Sequence, residues 1–179
     1  MAETPASFRF NTMTKPLFER VLALDVHPLS FGFVLLEGPE RLIDWGVRSF
    51  RHGVNAVKVP MGKKLDSLVK EYQPSVLTVG NGRIGISRQM KMIARLAAAH
   101  HLRVRIVSRD SIRKAFPQSN RNKHEIAKAI GDQCPDLMPY LPAKRKPWQS
   151  EKYGMSVFEA AALGLTYLAE RVPKNEDLR

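Results

Sequence analysis

The sequence predicts an α/β domain built on one mixed sheet with helices on both faces. Residues 21 to 50 hold three strand-like runs in succession, joined by turns too short to contain a helix. Beyond residue 55, helical and strand-like patterns alternate. The 179 residues suffice for one domain with a real core and are too few to argue for two. An antiparallel meander followed by crossover units gives a sheet of mixed direction. Right-handed crossovers leave few ways to wind it.

The elements follow in order. Residues 1 to 17 are polar, with Pro5 and Pro16 and no periodicity, and read as a loose arm. The first strand, 21 to 26, carries Asp25 near its end, and the second spans 31 to 36. The third, Arg41 to Phe50, alternates Trp45 and Val47 with polar neighbours after the turn at Gly38-Pro39. A helix is expected from Asn55 to Tyr72, with Val57, Leu65, Leu68 and Val69 on one side and Pro74 as its stop. Ser75 to Val79 is a short strand closing on Gly80. Ser87 can cap a helix through His100, with Met90, Ile93, Ala94 and Ala97 inward. Val104 to Val107 is the fifth strand. Asn122 with Glu125 opens a helix to Gln133. A proline-rich basic loop covers 136 to 154, and the last helix runs from Met155 to Arg171. The domain is expected over 18 to 172, with a short tail at 173 to 179.

Composition narrows the function classes. The longest apolar runs fall well short of the roughly 20 residues of a membrane span, and the N-terminal stretch has no apolar signal core. The single Cys134 excludes an internal disulfide and a cysteine-built metal site, and reads as a small core residue. A reducing cytoplasm is the expected location. Twenty-nine Lys and Arg against 17 Asp and Glu give a formal net charge of +12. Between Arg83 and Lys146 there are 15 basic and 4 acidic residues. So one-sided an excess points to a polyanion, most often nucleic acid. Candidate contacts are Arg83, Arg113, Lys114, Arg121, Lys123, Lys144, Arg145 and Lys146. Trp148, beside three consecutive cations, is either a stacking platform for a distorted or single strand or a loop anchor. GNGRIG lacks the Lys-Ser/Thr of a P-loop and reads as a strand-to-helix turn.

The carboxylates carry the chemistry. In a sheet of this kind, ligands gather at strand ends near the middle. Asp25, at such an end, is partly desolvated and must be hydrogen-bonded, paired or metal-bound. Mg²⁺ favours a few carboxylates plus waters, and two such ions about 4 Å apart can drive phosphodiester hydrolysis. Glu159 is the best second carboxylate: it borders the apolar stripe of the last helix, where Ala160, Ala161 and Ala162 permit close approach to the sheet. Ser156-Val157-Phe158-Glu159 fits a capping box equally well. His27 can face the same pocket or be solvated.

These residues carry a resemblance. VLALDVHPLSFGFVLLE resembles the opening of RuvC-type nucleases of the RNase H-like superfamily, where an aspartate ends the first strand and a glycine lies in the second; these are Asp25 and Gly32 here. YGMSVFEAAALGLTYLA is similar to that family's last helix, with Glu159 in the place of the acidic residue before its alanines. NRNKHEIAKAI resembles its lysine-bearing helix. The resemblance covers roughly residues 20 to 170 and implies an RNase H-like five-stranded mixed sheet. Two departures stand out. RuvC resolvases have a glutamate at the fourth strand end and an acid one turn before the last ligand; here these are Gly80 and Ser156. The YqgF-like branch resembles VLTVG better and places a carboxylate after the fifth strand, near Asp110. The resemblance therefore implies Asp25, Asp110 and Glu159 as catalytic and metal ligands for Mg²⁺ or Mn²⁺. Asp110 can instead serve, like Ser108, as a helix cap. Two functions follow: a metal-dependent endonuclease acting on branched DNA or RNA, Holliday junction resolvase-like, or an eroded relative that binds nucleic acid as a scaffold without cutting. A two-fold junction substrate also fits a homodimer.

Overall fold

The computed structural model describes residues 19–50, 60–81, 86–119, 122–144 and 154–171. β1 (Arg20–Val26), β2 (Ser30–Glu37) and β3 (Leu42–Ser49) form the antiparallel meander. β4 (Val76–Gly80) and β5 (Arg103–Val107) add in parallel, giving the order β3-β2-β1-β4-β5 in one five-stranded sheet. β1 thus lies in the centre, bonded to β2 on one side and β4 on the other. This is the mixed α/β architecture that the sequence predicts.

The period of two along each strand divides the core. Val21 and Ala23 face a cluster with Val34, Leu36, Val76 and the helices α4 (Lys123–Gln133) and α5 (Met155–Arg171). Short α3 (Arg109–Ala115) packs its Ile112 against the same cluster. Leu22, Leu24 and Val26 face the opposite cluster, with Phe31, Phe33 and Leu35, covered by α1 (Met61–Tyr72) and α2 (Ser87–Ala99). Each fully buried side chain of this size contributes about 1.5–3 kcal/mol. α5 is buried along nearly its whole length, as expected of a helix laid over the sheet centre. Gly164 allows that seat: a Cβ there would meet Leu36 at 2.8 Å and Ala23 at 3.1 Å.

Several boundaries differ from the sequence reading. α1 begins at Met61, after Pro60 at φ −61°; proline lacks the N–H that an entering helix cannot use. The expected earlier start, with Val57, lies outside the described residues, as do the N-terminal arm and the C-terminal tail. Ser87 is the first residue of α2 and not its cap; Ile86 precedes it without a side-chain bond. Ala94 is exposed, and the inward line is Ile86, Met90, Ile93 and Ala97. Two short elements complete the fold. α3 starts directly after β5, with Ser108 Oγ accepting from Ser111 N at 3.0 Å. A 3-10 helix, Pro135–Tyr140, opens the proline-rich segment. Cys134 is buried, and burial pushes its thiol pKa up. Among the described residues, no helix is long and apolar enough to cross a membrane.

Candidate functional site at the end of the central strand

Asp25 belongs to the same pleat face as Val21 and Ala23, so it points beneath the first turn of α5. It is 6% exposed. Ser156 Oγ donates to its Oδ2 at 2.7 Å. His27 Nε2 lies 2.7 Å from the same oxygen, where the N–H form of the ring donates to the carboxylate. Two donors thus meet one desolvated anionic oxygen, which lowers the cost of burying it. Gly32, opposite Asp25 on β2, makes the approach of α5 possible. A Cβ at Gly32 would sit 2.4 Å from both the carbonyl oxygen and the hydroxyl of Ser156.

Glu159 is one helical turn after Ser156 and therefore lies on the same helix face. The capping-box alternative is not realised: α5 begins at Met155, and the Ser156 hydroxyl is directed to Asp25. Lys123 Nζ, at the start of α4, forms an ion pair with Glu159 Oε1 at 2.8 Å. The helix start that places Lys123 is capped by Asn122, whose Oδ1 accepts from His124 N at 2.9 Å. Asp25, Gly80, Asn81, Arg109, Glu159 and Leu163 line one cleft of about 40 Å³.

Asp110 is not brought into that cleft. Its side chain is 79% exposed and accepts from Arg113 Nη1 at 3.0 Å along α3. The helical phase of α3 is the reason: Arg109 and Ile112 line the cleft, and Asp110 falls between them on the outer side. Ser108, and not Asp110, caps this helix. Arg113 and Lys123 line a groove next to the cleft, whereas Lys114 and Lys144 are exposed elsewhere. Arg83, Arg121, Arg145, Lys146 and Trp148 lie outside the described residues.

Two contributors were missed in the sequence. Arg109 lines the cleft, and its signal was its position just past a parallel strand end, where ligands gather. Ser156 was read as a missing acid or as part of a capping box, although a hydroxyl beside a buried carboxylate is a natural partner for it.

The cleft can be tested against a divalent metal by its donors. Asp25 and Glu159 supply two carboxylates, and Mg²⁺ is commonly held by one or two carboxylates plus waters and substrate phosphate. A single water needs roughly 10–15 Å³, so this cleft has room for an ion and bound water. A two-ion site does not fit: Gly80 and Ser156 carry no charge, and among the described residues no three His, Cys, Asp or Glu side chains converge.

By sequence, no protein-family model and no curated protein matches the chain. By structure, it is similar to RuvC of T. thermophilus in complex with Holliday junction substrate, with 13% identity and a TM-score of 0.60 over 86% of this chain and 96% of that one. It is also similar to the Fowlpox virus resolvase in complex with Holliday junction DNA, at 10% identity and a TM-score of 0.51, over 86% of this chain and 99% of that one. The fold is RNase H-like. It is the fold that these bacterial and poxvirus structures share with this chain.

Proposed function

We propose that this protein binds branched or otherwise distorted nucleic acid by its backbone across the ends of β1 and β4. In this reading it cleaves a phosphodiester there slowly, in a metal-dependent reaction. The observation that carries the proposal is the cleft itself: a buried Asp25 and a half-buried Glu159 face one opening, with Arg109 on its wall and Lys123 on Glu159. Carboxylates alone would repel a phosphate; the cations beside them make the approach of a polyanion favourable.

Asp25 and Glu159 would hold one Mg²⁺ or Mn²⁺, with backbone phosphate completing the ligands. Such an ion supplies Lewis-acid polarisation of a phosphoryl oxygen and a more acidic bound water. The chain's own residues do the rest. Ser156 and His27 fix the orientation of the Asp25 carboxylate through their bonds to Oδ2. Lys123 neutralises Glu159 in the absence of substrate, and on binding it exchanges that carboxylate for a phosphate oxygen. Arg109 draws the backbone into the cleft. A homodimer belongs to the same reading, because a four-way junction has approximate two-fold symmetry; sedimentation with and without junction tests it.

A second reading, binding without cleavage, is favoured by Gly80 and Ser156, since one ion gives weaker charge stabilisation than two. A labelled four-way junction, a duplex and a single strand, each with Mg²⁺ and with Mn²⁺, separate the two. The nuclease reading expects junction-selective products that disappear in Asp25→Asn. Tight junction binding with no product above that variant selects the binding-only reading.

A further inference from the structure

We propose that the groove beside the carboxylate cleft receives one unpaired nucleobase of the bound nucleic acid. This rests on the reading of the cleft as a nucleic-acid site and names the part of the substrate that distinguishes a branch from a duplex. The groove lies between α3, α4 and α5. Its walls are apolar: Ile112, Ile126, Ala127, Met155, Phe158 and Ala162. Its rim carries three cations, Arg109, Arg113 and Lys123, and one carboxylate, Glu159. Arg109, Ile112 and Glu159 line both the groove and the cleft, so the two openings are continuous.

That combination selects the occupant. An apolar cavity gains by excluding water and takes a flat apolar body. The groove encloses about 80 Å³, whereas a dry cavity of ~150 Å³ accepts a whole benzene. It therefore admits the leading edge of one aromatic ring and leaves the remainder at the mouth. The partly buried Met155 offers a thioether to that ring, a favourable sulfur–aromatic contact. Lys123 and Arg113 are shared with the carboxylates of Glu159 and Asp110, yet the rim keeps a net positive charge that an apolar peptide would not match. A nucleotide matches both parts at once, since its base fills the apolar wall and its phosphates meet the rim. In a duplex the bases are stacked and the groove receives nothing. At a branch or a single-stranded gap, unstacking has already occurred, and a base enters at little cost. The groove thus converts the absence of pairing into affinity next to the site that meets the phosphate.

The test begins with the wild-type protein and modified substrates. A junction carrying 2-aminopurine at its branch, and the same junction with abasic positions there, are titrated at fixed salt. The proposal expects a change in 2-aminopurine fluorescence on binding, and about tenfold weaker binding of the abasic junction, the order of one stacked base. Ile126→Trp, which fills the groove from a partly buried position on α4, is expected to bring the affinities for the intact and the abasic junction together; a variant that still separates them about tenfold overturns the groove. Salt-sensitive binding that ignores base removal at every branch position overturns the groove and spares the cleft. Absence of any salt-sensitive junction binding overturns both.

Discussion

At the scale of single residues, the site turns on what Asp25 touches. Its buried oxygen is served by Ser156 and His27. Ser156→Ala removes a donor from a desolvated carboxylate without adding bulk. We expect a loss of about 1–3 kcal/mol in unfolding free energy, read by urea denaturation. A larger effect on metal binding than on stability would indicate that Ser156 also orients the carboxylate. Gly80 permits a bolder change. A Cβ there meets only Leu163, at 3.6 and 3.8 Å, which is ordinary contact. Gly80→Glu therefore places a third carboxylate at the cleft without backbone strain. Its Mn²⁺ affinity should rise about tenfold, or 1.4 kcal/mol, in calorimetric titration. An unchanged affinity would mean that the new side chain turns away from Asp25 and Glu159.

At the scale of elements, the packing of α5 on the sheet sets the geometry of the cleft. Gly32→Ala drives a methyl group into the first turn of α5 at 2.4 Å. Either the helix start lifts or β2 shifts, and overpacking of this kind costs about 1–3 kcal/mol. The same shift parts Ser156 from Asp25, so both stability and metal affinity should fall. On the other face, α1 is tied to β3 by Tyr72, whose hydroxyl donates to Asp44 Oδ2 at 2.9 Å. Burial first, and the Asp44 carboxylate second, push the Tyr72 pKa from its ordinary 10.0 up to about 12. Because the folded state holds this proton more tightly, the contribution of Tyr72 is complete below about pH 10 and is lost as pH rises towards 12. Tyr72→Phe should remove that part of the alkaline loss, which thermal melts of the two proteins between pH 9 and 12 would compare.

At the scale of the molecule, charge governs the partner. With a formal net charge of +12, binding to nucleic acid should weaken steeply with salt, by roughly 0.9 in log–log slope for each duplex phosphate neutralised. Alanine at Lys144, Arg145 and Lys146 should flatten that slope by about 1 for each phosphate these cations neutralise. An unchanged slope and affinity would remove this segment from the interface.

How much of this was legible in the sequence follows from the range of the forces involved. Strands β1 to β3, the order of the elements and the apolar faces were readable, because alternation of period two and helical stripes are local patterns. Asp25 and Glu159 stood out for the same reason, as carboxylates at the margin of apolar runs. The ends of α1 and α2 were less legible: Pro60 set one start, and Ser87, a good cap by type, became the first helical residue once Ile86 was drawn into the core. The partners of the site were not legible at all. Ser156 and Asp25 are 131 residues apart in sequence and 2.7 Å apart in space. Lys123 reaches Glu159 only because α4 packs on α5. Asp110 had the right residue type and position, yet one step of helical phase turns it to solvent. The sequence by itself determined the sheet, the charge and the position of Asp25 and Glu159 at the margins of apolar runs, since those depend on neighbours along the chain. Only the tertiary structure decided which donors meet Asp25, which cation meets Glu159 and which acid is left out, because those contacts depend on how separate elements are seated against one another.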